Sequence, residues 1–289
     1  MTYTPDADWR AQRQRKTLRT AATPTEGLAA ETDVFALKQD HMRNIDRAGR
    51  SFPQAGRHAQ PRAAKFWISA LHDDGSRNEF EHCATADLYL EDICACFGRG
   101  ALIDTQQGRV AVEDLRPGDF IQTRDNGFQP LRWISSCSLS SEATGVDDTS
   151  WPIRIKADAL GELRPLQDLV VSPRFRLLSN HPSCVALFGS PETLAPAVDL
   201  LDGDTILRVR PSADLLFYNL MFDQHQIITA NGLETESYHP GNFGVAAMSL
   251  EMQMQMRQIF PHLGGDLNGF GKTARPILRG FEAEVLRVG

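Results

Sequence analysis

The chain has 289 residues, 42% hydrophobic and 23% charged, and its 30 basic against 37 acidic side chains give a formal net charge of −7. Glycine and proline, 22 and 16 residues, stand at ordinary levels, which excludes collagen-like and low-complexity chains. Five cysteines are too few, and odd in number, for a disulfide-stapled secreted scaffold.

No run approaches the ~18 apolar residues of a membrane span, and the opening segment Met1-Thr2-Tyr3-Thr4-Pro5-Asp6 lacks the apolar core of a signal peptide. The expectation is a globular protein that is not integral to a membrane, either cytoplasmic or exported without a Sec signal.

Charge divides the chain. Residues 1–62 hold 11 Lys and Arg against 7 acidic residues, a balance of +4, and the rest carries −11. Arg10, Arg13, Arg15, Lys16 and Arg19 precede a Thr/Pro/Ala stretch, and Phe52 is the one large apolar side chain from Arg47 to Arg62. Such composition buries too little surface to offset the entropy of ordering. Residues 1–62 therefore read as a largely disordered basic tail and linker, with a short helix near Val34–Arg47. The interleaved aromatics of a stacking surface are missing, so nucleic acid is not an expected partner.

A β-type run, Lys65 to Leu71, reaches the turn signal Asp73-Asp74-Gly75-Ser76 and returns through Asn78 to His82. This predicts a β-hairpin within a segment spanning 63–95. From Cys96 onward short apolar runs alternate with turns. The runs are Ala101–Ile103, Arg109–Val112, Phe120–Thr123, Leu131–Ile134, Ile153–Ile155, Leu169–Val171, Phe175–Leu178, Thr205–Val209 and Gln226–Thr229. Turn chemistry lies between them at Gln107-Gly108, Pro117-Gly118-Asp119, Asn126-Gly127, Asp202-Gly203-Asp204 and Asn231-Gly232. Many short strands at close spacing predict a mainly β body over 96–240. Beyond His239-Pro240-Gly241 the pattern turns helical, with Met248, Met252, Met256 and Ile259 on one face. Residues 241–289 therefore read as a helical and extended tail.

Cys96-Phe97-Gly98 followed by Ala101-Leu102-Ile103, then Val112-Glu113-Asp114-Leu115-Arg116-Pro117-Gly118-Asp119-Phe120-Ile121, resembles the start of the hedgehog/intein (Hint) family. Phe222-Asp223-Gln224-His225-Gln226-Ile227-Ile228-Thr229-Ala230-Asn231-Gly232 is similar to that family's closing segment. Arg132-Trp133-Ile134, Leu169-Val170-Val171-Ser172-Pro173 and Glu236-Ser237-Tyr238-His239-Pro240-Gly241 resemble its bacterial subgroup. No single motif decides; their order and spacing together do. The resemblance implies a pseudo-symmetric β fold whose first and closing strands meet around the cysteine.

It also implies a chemistry. The leading cysteine, Cys96, attacks the carbonyl of Ala95 and turns the Ala95-Cys96 peptide bond into a thioester that a second nucleophile cleaves, with the chain's own N-terminal segment as substrate. A thiol suits this step because it ionises readily and its acyl product is activated. The leaving amide nitrogen needs a proton and the oxyanion needs donors. The family takes that help from a Thr/Ser-x-x-His segment. Here it reads Ser172-Pro173-Arg174-Phe175, so the hydroxyl is present and a phenyl ring replaces the imidazole. His225, with Asp223 beside it, is the implied second imidazole, and His181 is a candidate substitute. An intein ends its closing strand in His-Asn; those positions hold Glu236 and Ser237, so splicing is not expected.

Two expectations follow: autoprocessing that cleaves Ala95-Cys96 and releases residues 1–95, or a Hint scaffold that has lost its chemistry and serves as a binding or structural module. No cofactor is expected. His82-Cys83 with Cys94 and Cys96 lacks the spacing of a zinc knuckle, Asp199 with Asp202 and Asp204 lacks an EF-hand's remaining ligands, and Asp266 stands where a phosphate loop needs its first glycine.

Overall fold

The computed structural model describes residues 63–85, 96–139, 151–180, 183–241, 249–263, 270–278 and 282. The expected basic tail, its helix near Val34–Arg47 and the connection 86–95 lie outside them. The chain divides into two units, Met1–Ala59 and Gln60–Gly289, and every described residue belongs to the second.

Strands β1 (Ala63–Leu71) and β2 (Arg77–Thr85) form the hairpin. Its turn closes because the Asp74 carboxylate accepts the backbone N–H and the hydroxyl of Ser76 at 2.8 and 2.6 Å, the usual Asp device in a tight turn. Short strands come next: β3 (Phe97–Gly98), β4 (Leu102–Thr105), β5 (Gly108–Ala111), β6 (Phe120–Thr123), β7 (Gly127–Pro130) and β8 (Trp133–Leu139). They lead to β9 (Ile153–Ile155), β10 (Leu169–Val171), β11 (Arg176–Ser179), helix α1 (Ser183–Phe188), β12 (Thr193–Pro196) and β13 (Ile206–Arg208). The series closes with β14 (Leu215–Met221), β15 (Ile227–Ala230), β16 (Leu233–Glu236) and helix α2 (Leu250–Ile259).

The protein is mainly β, and its strands assemble into two antiparallel sheets. The first runs β13-β9-β10-β3-β14-β8-β1-β2, and the second β12-β11-β16-β15-β4-β6-β7 with β5 beside β4. The closing strand β15 meets β4 at the Asn231-Gly232 turn, whereas β3, next to Cys96, lies between β10 and β14 rather than against the closing strand. Asn231 takes the left-handed φ of 49° that asparagine tolerates. Its side-chain oxygen accepts Leu102 N at 2.7 Å while its own N–H donates to Leu102 O at 2.8 Å.

Alternation along the strands buries both faces of the first sheet. Phe97, Ile153, Leu169, Val171 and Leu220 face Ile103, Ile121, Leu177 and Ile228 of the second sheet. Phe66, Ile68, Ala70, Trp133, Cys137, Phe217 and Met221 face the other way, onto α2. The methionine stripe is the reason: Met252, Met256 and Ile259 are buried there, and the Ser249 hydroxyl caps the helix by accepting Met252 N at 3.2 Å, as an N-cap serine does. Met248 lies outside the described residues.

Strands β3, β7, β12, β14 and β16 are absent from the sequence expectation. Leu215–Met221 reads as an apolar run broken only by Asn219 rather than as an alternating one, because both of its faces are covered. The Asp202-Gly203-Asp204 turn is held by the Asp202 carboxylate, which accepts the N–H groups of Asp204, Thr205 and Ile206 at 2.8 Å each. The Thr205 hydroxyl, then the N–H groups of Ile206 and Asp204, hold that carboxyl far below its usual range.

Arg132, just before β8, is 7% exposed and ties three segments together. Its guanidinium pairs with Asp73 in the hairpin turn and with Asp223 at 3.3 Å, and it donates to Ile259 O of α2 at 2.9 Å. Arg132→Ala forfeits these bonds and the packed stem together, so stability falls by about 2 kcal/mol. The loss is read as a lower denaturant midpoint at an unchanged slope.

Candidate active site

Strand β3 is two residues long, and its neighbours place Cys96. Phe97 sits between Val171 of β10 and Tyr218 of β14. Gly98 permits the approach, since a Cβ there would lie 2.8 Å from Val170 O, a contact no side chain could keep. Cys96 therefore falls between the residue just after β10, Ser172, and the middle of β14, Asn219.

Three hydrogen bonds define the place. Cys96 N donates to the Ser172 hydroxyl at 3.1 Å, and Ser172 N donates back to Cys96 O at 3.1 Å. The Cys96 thiol donates to the side-chain oxygen of Asn219 at 2.8 Å. Cys96 is 1% exposed, within the apolar cluster that includes Met256. Asn219 Nδ2 reaches toward Ser135 Oγ at 3.5 Å. Sulfur, amide and hydroxyl thus form a buried polar row across an otherwise apolar face.

The Ser172-Pro173-Arg174-Phe175 segment is a turn closed by Phe175 N donating to Ser172 O at 3.1 Å. Phe175 is fully buried and stands edge-on to Phe97, ring centres 4.7 Å apart. The position that carries an imidazole in the resemblance is filled by a ring that completes the inter-sheet core.

His225 belongs to a second polar cluster. Its Nδ1 accepts Ala274 N at 3.0 Å, so Nε2 carries the proton and donates to Ser237 O at 3.0 Å. The carboxylate of Glu236 lies 3.5 Å from Nε2, is fully buried, and accepts Arg176 N and Nη1 at 3.1 and 2.8 Å. Ser237 exchanges bonds with Gln226, its hydroxyl and N–H both at 2.9 Å. The His239 ring packs 5.2 Å from that of His225, and its Nε2 donates to Gly271 O at 3.3 Å. Both nitrogens of His225 are therefore spent on the closing strand and the C-terminal segment.

Of the candidate residues, Cys96 and Ser172 are in contact. Asp223 is half exposed against Arg132 and offers its carbonyl to His262 Nε2 at 2.8 Å. Ala95 and His181 lie outside the described residues. Asn219 and the Arg176–Glu236 pair escape a reading by motif. The available signal for Asn219 is its place as the lone amide in Leu-Leu-Phe-Tyr-Asn-Leu-Met. Among the described residues no three metal-ligating side chains gather, and no helix is long and apolar enough to cross a membrane.

A protein-family model, the Hint domain, matches residues 95–242, just over half of the chain, beginning one residue before Cys96. The chain belongs to the Hint domain family. Comparisons with curated proteins and with solved structures gave no match.

Burial, and after it the charge His225 would carry, hold His239 below the ordinary imidazole value; burial does the same to His82. The unfolded chain then binds protons more readily than the folded one, and stability falls as pH drops through about 6.5. His239→Gln flattens part of that acid limb and leaves the share due to His82. Denaturant midpoints compared at about pH 7.5 and 5.5 measure the difference.

Proposed function

We propose that the protein cleaves its own chain between Ala95 and Cys96 through a thioester at Cys96. The observation that carries this reading is the engagement of both reacting atoms of Cys96: the nitrogen that must leave is 3.1 Å from the Ser172 hydroxyl, and the sulfur that must attack is 2.8 Å from Asn219.

In the first step Sγ bonds to the carbonyl carbon of residue 95 and the bond from that carbon to Cys96 N breaks. The reaction is an isomerisation: the thiol proton is lost and the amide nitrogen gains one. Ser172 is the group beside that nitrogen, able to accept from its N–H in the peptide and to donate to its lone pair once it becomes tetrahedral. Asn219 holds the sulfur in the strand-bounded slot, which replaces a bimolecular encounter by fixed geometry. In the second step water or an added thiol attacks the thioester carbon. Its bond to sulfur breaks, and Cys96 is regenerated with a free amino group. Asp223, held by Arg132, and His225, whose ring nitrogens are bonded to Ala274 N and Ser237 O, are assigned no atom in either step.

A second reading, a scaffold without chemistry, is favoured by one observation, the burial of Phe175 where the resemblance places a histidine. One experiment separates the two. Intact mass after incubation with dithiothreitol or hydroxylamine is expected to show residues 1–95 and a fragment beginning at Cys96, and Cys96→Ala abolishes both. A single unchanged mass after long incubation decides for the scaffold.

Ser172→Ala removes the proton carrier and slows cleavage by roughly 10²-fold, at the low end for positioned proton transfer. Phe175→His returns an imidazole to the turn and is expected to accelerate cleavage, while lowering stability because a polar ring replaces a phenyl in the core. Time courses of fragment mass read both effects.

A further inference from the structure

Residues 63–85 lie on the N-terminal side of the Ala95–Cys96 bond and before the residues the Hint model matches. Even so, they are part of the first sheet. Strand β1 is an interior strand, between β2 and β8, and it pairs with β8 from Phe66 opposite Cys137 to Ala70 opposite Trp133. Phe66, Ile68 and Ala70 are 7%, 4% and 0% exposed and share one apolar cluster with Met256 of α2. At the turn end, Leu71 N donates to Arg132 O at 2.8 Å, and the Arg132 guanidinium holds Asp73. Phe80 of β2 stands edge-on to Trp133 of β8, ring centres 5.8 Å apart.

We propose that cleavage at Ala95–Cys96 does not release the N-terminal piece. The hairpin stays in the sheet, and the product is a two-fragment protein held by strand pairing and a shared core. The partner that β8 and α2 fit is thus an amphipathic two-strand segment of this chain, covalently continuous with residues 1–62. The occasion for this rests on the self-cleavage reading above; the retention is a property of the fold.

The physical reason is that the cut falls in the connection 86–95 and none of the pairings just named passes through it. Cutting removes only the tether, which sets the effective concentration of the hairpin. Losing the hairpin would turn β8 into an open edge of unpaired N–H and C=O groups. It would also uncover Trp133, Cys137 and Met256. A strand that supplies a ladder and alternate side chains to such an edge is a known mode of peptide binding. The new amino terminus at Cys96 would then stay against Ser172, and separation would require denaturation or a competing strand.

The test cuts the chain by other means. A site-specific protease sequence replaces residues 87–92 in a Cys96→Ala full-length background, and the cut protein is run on size exclusion in native buffer and in guanidinium. The two fragments are expected to co-elute natively at the volume of the uncut protein and to separate in guanidinium. Arg132→Ala lowers the denaturant concentration at which they part, whereas Glu162→Ala, an exposed side chain in the loop after β9, leaves it unchanged. Separation in native buffer, or precipitation of the larger fragment on cutting, overturns the proposal. A wild-type chain that never cuts itself refutes only the self-cleavage reading, since the retention is measured on the protease-cut protein.

Discussion

Everything at the candidate site depends on how Phe97 and Gly98 are gripped between β10 and β14. Two residues make the whole strand, and the glycine backbone lies so near Val170 that a Cβ would collide with its carbonyl. That contact aligns three strands at one level. It turns Phe97 into the inter-sheet core against Phe175 and leaves Cys96 on the opposite side, between a hydroxyl and an amide. The site is a consequence of packing: the same alternation that buries Phe97 determines which face receives the sulfur.

The face that receives it is covered by elements from both ends of the described unit. The hairpin β1-β2 lengthens the first sheet beyond β8, and α2 lays its methionines over β1, β8, β14 and Cys96. Arg132 ties these additions, joining the hairpin turn, the closing segment at Asp223 and the last carbonyls of α2. The cysteine consequently sits in a closed apolar environment, where the few polar atoms count for more than they would at a surface. Under the proposed self-cleavage, such closure limits how freely water reaches the acyl group.

His225 and His239 clasp the segment after α2, through Ala274 N and Gly271 O. Near them Glu236 is buried with Arg176, at one of the two positions where an intein would carry its splicing residues. Leu194 and Ile277 form a parallel bridge, so this same segment also caps the edge of β12. The closing strand is thus fastened to the C-terminal segment.

Local chemistry made much of this legible. Turn residues at Asp74-Gly75, Asp202-Gly203 and Asn231-Gly232, with β-branched and apolar runs between them, mark Phe120–Thr123, Ile153–Ile155 and Leu169–Val171 with the limits the strands actually have. The order of Cys96, Ser172 and His225 identified the family. Leu215–Met221 went unmarked because a strand buried on both faces loses the alternation that reveals it, and Asn219 was hidden with it. The sequence by itself determined the mainly β class and the likeness to the family, because these depend on residue type and on the order and spacing of motifs. Only the tertiary structure decided that Asn219 holds the thiol, that His225 is spent on the C-terminal segment and that the hairpin belongs to the sheet. Each of those rests on contacts between residues far apart in the chain, whose partners are chosen by the shape of a shared core and leave no local mark.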